Sequence, residues 1–142
     1  MSAIASGLAG RSDWTDLVPG VTLDTGALVA IERGDSRLQA LLDEAGAAGA
    51  EIAVPAGVVA QAWRGSQRQA RLARFLALST VATVVLDEPE ARATGVLCGR
   101  TGTSDVVDAS IVICARARDH AVVTGDPDDL AALDPRLRLV GL

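Results

Sequence analysis

At 142 residues the chain is the size of one domain, and with 49% apolar residues but only 2% aromatics its core must be built from Ala, Val and Leu. A formal net charge of −5 excludes a passive polyanion binder, because neutralising phosphates requires a basic surface. No apolar run approaches the span of a bilayer, and the N-terminal stretch, with Arg11 and Asp13 and no basic leader, does not read as a secretory signal; the expectation is a soluble cytoplasmic protein with no membrane partner.

Residues 1–20 read as an N-terminal tail and residues 21–142 as the domain. From there, short β-branched runs alternate with longer helical patterns, which predicts an α/β fold with a central, mainly parallel sheet of about five strands flanked by helices. The first strand is Val21 to Leu23. Ala27 to Ile31 and Ser36 to Ala48 have helical spacing, divided by the turn Arg33-Gly34-Asp35, with Ser36 as N-cap. Glu51 to Val54 is the second strand, and Pro55 starts a helix directly after it. Gly65-Ser66 interrupts that helix; another runs from about Gln67 to Leu78, with Leu72, Phe75 and Leu76 on one face.

Val81 to Val85 follows as a strand. Glu88-Pro89-Glu90 opens a helix with proline in its first turn and acids at its positive end, and the Gly99 to Gly102 loop ends it. Thr103 to Asp119 reads as the central helix, capped by Thr103 or Ser104 and apolar nearly all round from Val106 to Cys114. The strands Ala121 to Thr124 and Leu137 to Val140 complete the pattern. Cys98 and Cys114 are too far apart for a CxxC motif and read as buried thiols, and His120, in the link before a strand, as structural.

Four aspartates stand where an apolar strand or helix should exclude a charge. Asp24 ends the first strand, Asp126 follows Thr124-Gly125, and Asp105 and Asp108 share a face of the central helix. Buried carboxylates are costly unless paired, hydrogen-bonded or bound to metal. With no lysine and one histidine in the chain, a divalent cation is the best candidate partner, and all-oxygen ligands suit Mg²⁺ or Mn²⁺. Each acid also has an ordinary alternative. Asp24 and Asp126 fit helix N-caps, and Asp105 fits a first-turn acid complementing the helix dipole. Asp108, a turn deeper among apolar neighbours, is the hardest to account for by solvation alone. In parallel α/β sheets ligands gather beyond the carboxyl ends of the strands, where Asp24 and Asp126 are expected.

The motifs Leu23-Asp24-Thr25-Gly26-Ala27-Leu28, Asp108-Ala109-Ser110-Ile111-Val112 with Ala115, and Val122-Val123-Thr124-Gly125-Asp126 together resemble the PIN-domain family, and the compact size is similar to its VapC-type toxins. The resemblance covers most of the chain from Val21 onward. It implies a single PIN-like domain and a Mg²⁺- or Mn²⁺-dependent endoribonuclease that hydrolyses RNA phosphodiester bonds. It also implies a cognate antitoxin, docked near the first helices, and a homodimer. Asp24, Asp108 and Asp126 match the family's acids as metal ligands and catalytic residues, with Asp105 a possible additional acid.

The sequence departs from the family at one place. Where a Glu is usual after the second strand, Val58-Val59-Ala60-Gln61 carries an amide, with Asp105 or, less directly, Glu32 as compensating acids. Gln61, Thr25 and Thr124 are candidates for outer positions around the metal. Arg64 and Arg68, with Arg71 and Arg74, recur at helical spacing and read either as substrate-phosphate or antitoxin contacts or as a solvated face. Trp63 either stacks on a base or packs under its helix. The Asp-Thr-Gly tripeptide suggests an aspartic protease only superficially, since those are all-β, and a phosphoacceptor receiver would need a lysine. The alternative function is a PIN-like module with weakened or lost catalysis that binds protein or RNA, with Gln61 as the symptom.

Overall fold

The computed structural model describes Ile4–Ala5 and residues 19–142. Its strands are β1 (Ile4–Ala5), β2 (Gly20–Leu23), β3 (Glu51–Pro55), β4 (Val81–Val84), β5 (Ala121–Thr124) and β6 (Leu139–Gly141). The helices are α1 (Thr25–Glu32), α2 (Ser36–Ala47), α3 (Ala56–Ala62), α4 (Ala70–Leu76), α5 (Glu88–Thr101), α6 (Val106–Arg118) and α7 (Pro127–Leu133), with a 3₁₀ turn at Gln67–Gln69 before α4. The strands form one sheet in the order β1-β6-β5-β2-β3-β4, parallel at every pairing. The five expected strands are all present. Of the expected tail, Ile4–Ala5 pair with Leu139 and Val140 as an edge strand and Pro19 and Gly20 lead into the sheet, while the other tail residues lie outside the described ones.

Central strands of such a sheet are covered on both faces and therefore read as continuous apolar runs. Every residue of β2 and β5 is buried. The core joins Val21, Leu23, Val122 and Val123 to Leu28, Leu38, Ile52, Leu72, Ile111 and Val112. Each large side chain fully buried there contributes roughly 1.5–3 kcal/mol. Helix α6 lies at the centre, burying Ala109, Ser110, Ile111, Val112, Cys114 and Ala115. Beneath it Thr22 Oγ1 and His120 Nδ1 are 3.0 Å apart, which gives the buried imidazole its partner and accounts for the structural histidine.

The local differences from expectation have side-chain causes. Asp35, not Ser36, caps α2, its Oδ1 accepting from the Arg37 and Leu38 N–H groups. Asp105, not Thr103 or Ser104, caps α6, while the Thr103 hydroxyl accepts from the Asp105 N–H. Asp87 caps α5, which continues through Gly99 and ends at Gly102 with φ 75°. The helix expected over Gln67 to Leu78 is a 3₁₀ turn followed by the shorter α4. Buried Gln69 causes the break: its Oε1 accepts from the Arg64 and Gly65 N–H groups, while its Nε2 donates to the Ala62 carbonyl and the Glu32 carboxylate.

Chain order around the sheet sets where function can gather. From β2 the chain steps outward to β3 and β4, then returns through α5 and α6 to β5 on the other side of β2. Between β2 and β5 the order reverses, opening a crevice at the carboxyl edge. Because α6 runs back from that edge to the start of β5, its N-terminus lies with those of α1, α3 and α7, each directly following a strand. Four positive helix ends therefore face one region.

Candidate active site

Asp24 sits at the reversal point. It is buried and N-caps α1, with Oδ1 accepting the Ala27 N–H at 2.9 Å. Oδ2 reaches across the crevice and accepts the Gly125 N–H at 3.1 Å. This closeness depends on glycine, since a Cβ at Gly26 would stand 3.3 Å from the Gly125 backbone. Capping and site roles are thus combined in one carboxylate. Burial raises the Asp24 pKa, opposed by hydrogen bonds from Thr124, Ala27 and Gly125; nearby Asp126 raises it further.

Asp126 departs from the capping expectation. It precedes α7 but makes no side-chain bond to it, so its exposed carboxylate is free of that duty. Its backbone N–H instead donates to Thr124 Oγ1 at 2.8 Å. The buried Thr124 hydroxyl, bonded also to Asp24, ties the two acids together. On α6 the half-buried Asp108 has its pKa pushed up to about 6, first by desolvation, then by the charge of Asp105 and a hydrogen bond with its side chain, then by the charges of Asp129 and Asp24. Asp105 is exposed, and its Oδ1 accepts the Asp108 N–H at 3.0 Å.

Asp129 was not anticipated. It lines a recess of about 380 Å³ with Asp105, Asp108 and Thr103. The spacing Asp126-Pro127-Asp128-Asp129 was the available signal: on a helix starting at Pro127, Asp129 lies one turn beyond Asp126. Among the described residues, none of the ion pairs involves Asp24, Asp105, Asp108, Asp126 or Asp129, so no arginine neutralises them. Nor do three of the described His, Cys, Asp or Glu side chains close into a ready ligand set. The donors' chemistry nonetheless fits a hard divalent cation: carboxylate oxygens alone, partly desolvated and mutually repelling.

The remaining candidates divide. Gln61 belongs with the acids: the Thr25 hydroxyl donates to its Oε1, linking α3 to the residue after Asp24. Glu32 does not compensate for it, because its carboxylate is held by Gln69 at the far end of α1. The arginines do not form one helical stripe, since α3 ends at Ala62 and Gly65, at φ 72°, turns the chain before α4. Arg64 folds its Nη1 back onto the carbonyls of Trp63, at 2.7 Å, and Ala60, at 3.3 Å. Arg68 is exposed in the 3₁₀ turn, and Trp63 is exposed too. Arg71 and Arg74 line a groove of about 500 Å³ floored by Ile31, Phe75 and Leu78.

The PIN domain family model matches residues 21–134. By sequence, no curated protein matches the chain. Among solved structures, a toxin–antitoxin complex from Klebsiella pneumoniae contains a chain of similar fold, with TM-score 0.63 and 20% identity over 83% of this chain and 96% of that one. VapBC2 from Rickettsia felis, bound to a DNA fragment from its promoter, gives TM-score 0.59 and 22% identity over 84% and 96%. FitAcB from Neisseria gonorrhoeae gives TM-score 0.58 and 20% identity over 85% and 96%. At such identities the likeness is one of fold.

Proposed function

This chain belongs to the PIN-domain family, whose members are generally nucleases, and from that premise we propose that it is a Mg²⁺- or Mn²⁺-dependent endoribonuclease, the toxin of a toxin–antitoxin pair. The observation that carries the reading is the acid cluster at the sheet's reversal point, with Asp24 and Asp108 raised in pKa and no arginine among the described residues to offset them. Asp24, Asp108 and Asp126 are the proposed ligands and Asp105 an accessory acid. A divalent cation held by these carboxylates would offset phosphodiester charge and lower the pKa of a bound water. Thr124, hydrogen-bonding the Asp24 carboxylate, favours its ionised form against the burial that raises its pKa. The four helix N-termini favour an incoming phosphate against the acidic net charge.

The groove between α1 and α4 supports the partner. Its floor of Ile31, Phe75 and Leu78, with Arg71 and Arg74 at its side, suits an antitoxin segment of apolar and acidic side chains. Of the structurally similar proteins, the one from Klebsiella pneumoniae is a toxin–antitoxin complex, which agrees with such a partner, and VapBC2 is bound to a fragment of promoter DNA. The homodimer belongs to the same proposal and is tested by light scattering of the purified chain. Among the described residues no helix is long and apolar enough to cross a membrane, in keeping with a cytoplasmic site of action.

A second reading, a PIN-like binding module without catalysis, is favoured by one observation: no three acids close into a ligand set among the described residues. Incubating the purified protein with end-labelled single-stranded RNA, with Mn²⁺ and with chelator, separates the two. Cation-dependent fragments support the nuclease, and binding without fragments at millimolar Mn²⁺ supports the module.

A further inference from the structure

An RNA phosphodiester approaching Asp24, Asp105, Asp108 and Asp126 meets negative charge that no arginine among the described ion pairs offsets. A neutral hydrogen-bond donor beside the acids is therefore chemically valuable. Gln61 is in that place. On α3, Gly57 packs against Val107, the neighbour of Asp108, with a Cβ there 3.4 Å from the valine side chain. Gln61 lies one turn further along the same face and meets Thr25, the neighbour of Asp24.

The direction of that bond matters. Because the Thr25 hydroxyl donates to Oε1, the amide's acceptor end is occupied and its two N–H donors are directed elsewhere. No described group accepts from Nε2, and the side chain is exposed. We infer that Gln61, oriented by Thr25, positions substrate by donating from its amide to a non-bridging phosphate oxygen, and does not serve as a metal ligand. This rests on the ribonuclease reading and deepens it, since it assigns a substrate contact that a carboxylate at the same position could not make.

The test uses Gln61→Ala, Gln61→Glu and Thr25→Val, with three readouts. Steady-state cleavage gives KM and kcat; fluorescence anisotropy of a labelled RNA in the Asp108→Asn background gives affinity without turnover; calorimetry gives Mn²⁺ affinity. A lost hydrogen bond to a charged group should raise KM and the RNA dissociation constant about tenfold in Gln61→Ala. Its kcat should stay within about threefold and its Mn²⁺ affinity unchanged, because the lost contact is made in ground and transition states alike. Gln61→Glu should bind RNA more weakly than Gln61→Ala, having lost the donors and gained a charge. Thr25→Val should weaken RNA binding less than Gln61→Ala and add nothing to it in the double variant, since Thr25 acts through Gln61. Unchanged RNA binding in Gln61→Ala, or weakened Mn²⁺ binding, overturns the assignment. A wild type that neither binds nor cuts RNA overturns the ribonuclease reading itself.

Discussion

Asp24 and Gly125, on loops that follow neighbouring strands, are joined by a single hydrogen bond from the Gly125 N–H to Asp24 Oδ2 at 3.1 Å. Thr124 reinforces the junction, hydrogen-bonding the Asp24 carboxylate while accepting from the Asp126 N–H. The hydroxyl favours ionised Asp24, so its removal should raise that pKa further. Thr124→Val, nearly the same shape, should lower kcat/KM about tenfold at neutral pH, the scale expected for losing a partner of a metal ligand. It should also move the acid limb of the pH–rate profile upward. A pH–rate profile superimposable on that of wild type would show that the hydroxyl has no part in holding the site ionised.

Asp108 gives a stability prediction whose sign follows from its raised pKa. The folded protein holds this proton up to about 6, whereas the unfolded chain releases it near the ordinary aspartate value of 3.8. Between those values the native state binds more protons, so its stability falls as pH rises, and above about 6 the full penalty is present. Asp108→Asn removes the penalty. Without metal it should melt higher than wild type at pH 7, and the difference should shrink to nothing below the ordinary aspartate value of 3.8. Thermal melts across pH check this; a variant less stable than wild type at pH 7 contradicts it. Millimolar Mn²⁺ should raise the melting temperature of wild type and not of the variant, because a ligand stabilises only the state that binds it.

Gln69 should be worth more to folding than its place in a turn suggests. Its side chain satisfies two N–H groups, a carbonyl and the Glu32 carboxylate. Gln69→Leu leaves these partners without their bonds in a largely buried setting and should cost about 2–3 kcal/mol. Urea denaturation measures it, and a loss below about 0.5 kcal/mol would mean that water replaces the amide freely.

Gly20 should tolerate no side chain. An added Cβ would lie 2.3 Å from the Glu51 carbonyl oxygen and 2.7 Å from His120 Nε2, and the carbonyl is held in the sheet. Gly20→Ala should destabilise by about 1–3 kcal/mol, as overpacking typically does. Equal urea midpoints for variant and wild type would show that β3 shifts without cost.

Much of the fold was legible because apolar runs and turn residues carry it. The strands Val21 to Leu23 and Ala121 to Thr124 were marked by sequence whose every residue is buried. The central helix was visible in its apolar girth, though not its cap, since Thr103, Ser104 and Asp105 are all good caps and only tertiary placement selects among them. The interruption at Gly65-Ser66 was legible, but the 3₁₀ turn that delays α4 was not, because it depends on Gln69 bonding back to Ala62 and across to Glu32. The same limit applied at the site. Asp24, Asp108 and Asp126 stood out as charges in apolar surroundings, whereas nothing in the sequence pattern set Asp129 apart, and only the fold brings it near Asp108. The helical spacing of Arg64, Arg68, Arg71 and Arg74 does not make them one face, because α3 stops at Ala62 and the 3₁₀ turn and α4 carry the rest.

The most direct test of the central claim is Mn²⁺-dependent cleavage of a defined RNA by wild type, Asp24→Asn, Asp108→Asn and Asp126→Asn at equal concentration and pH 7. Each substitution keeps the shape and removes the charge that would hold the cation. The account predicts cation-dependent cleavage by the wild type and a loss of kcat/KM of at least about a hundredfold in each folded variant, the scale on which electrostatic contributions to catalysis operate. Cleavage by Asp108→Asn at the wild-type rate, or wild-type cleavage that persists undiminished in chelator, would contradict it.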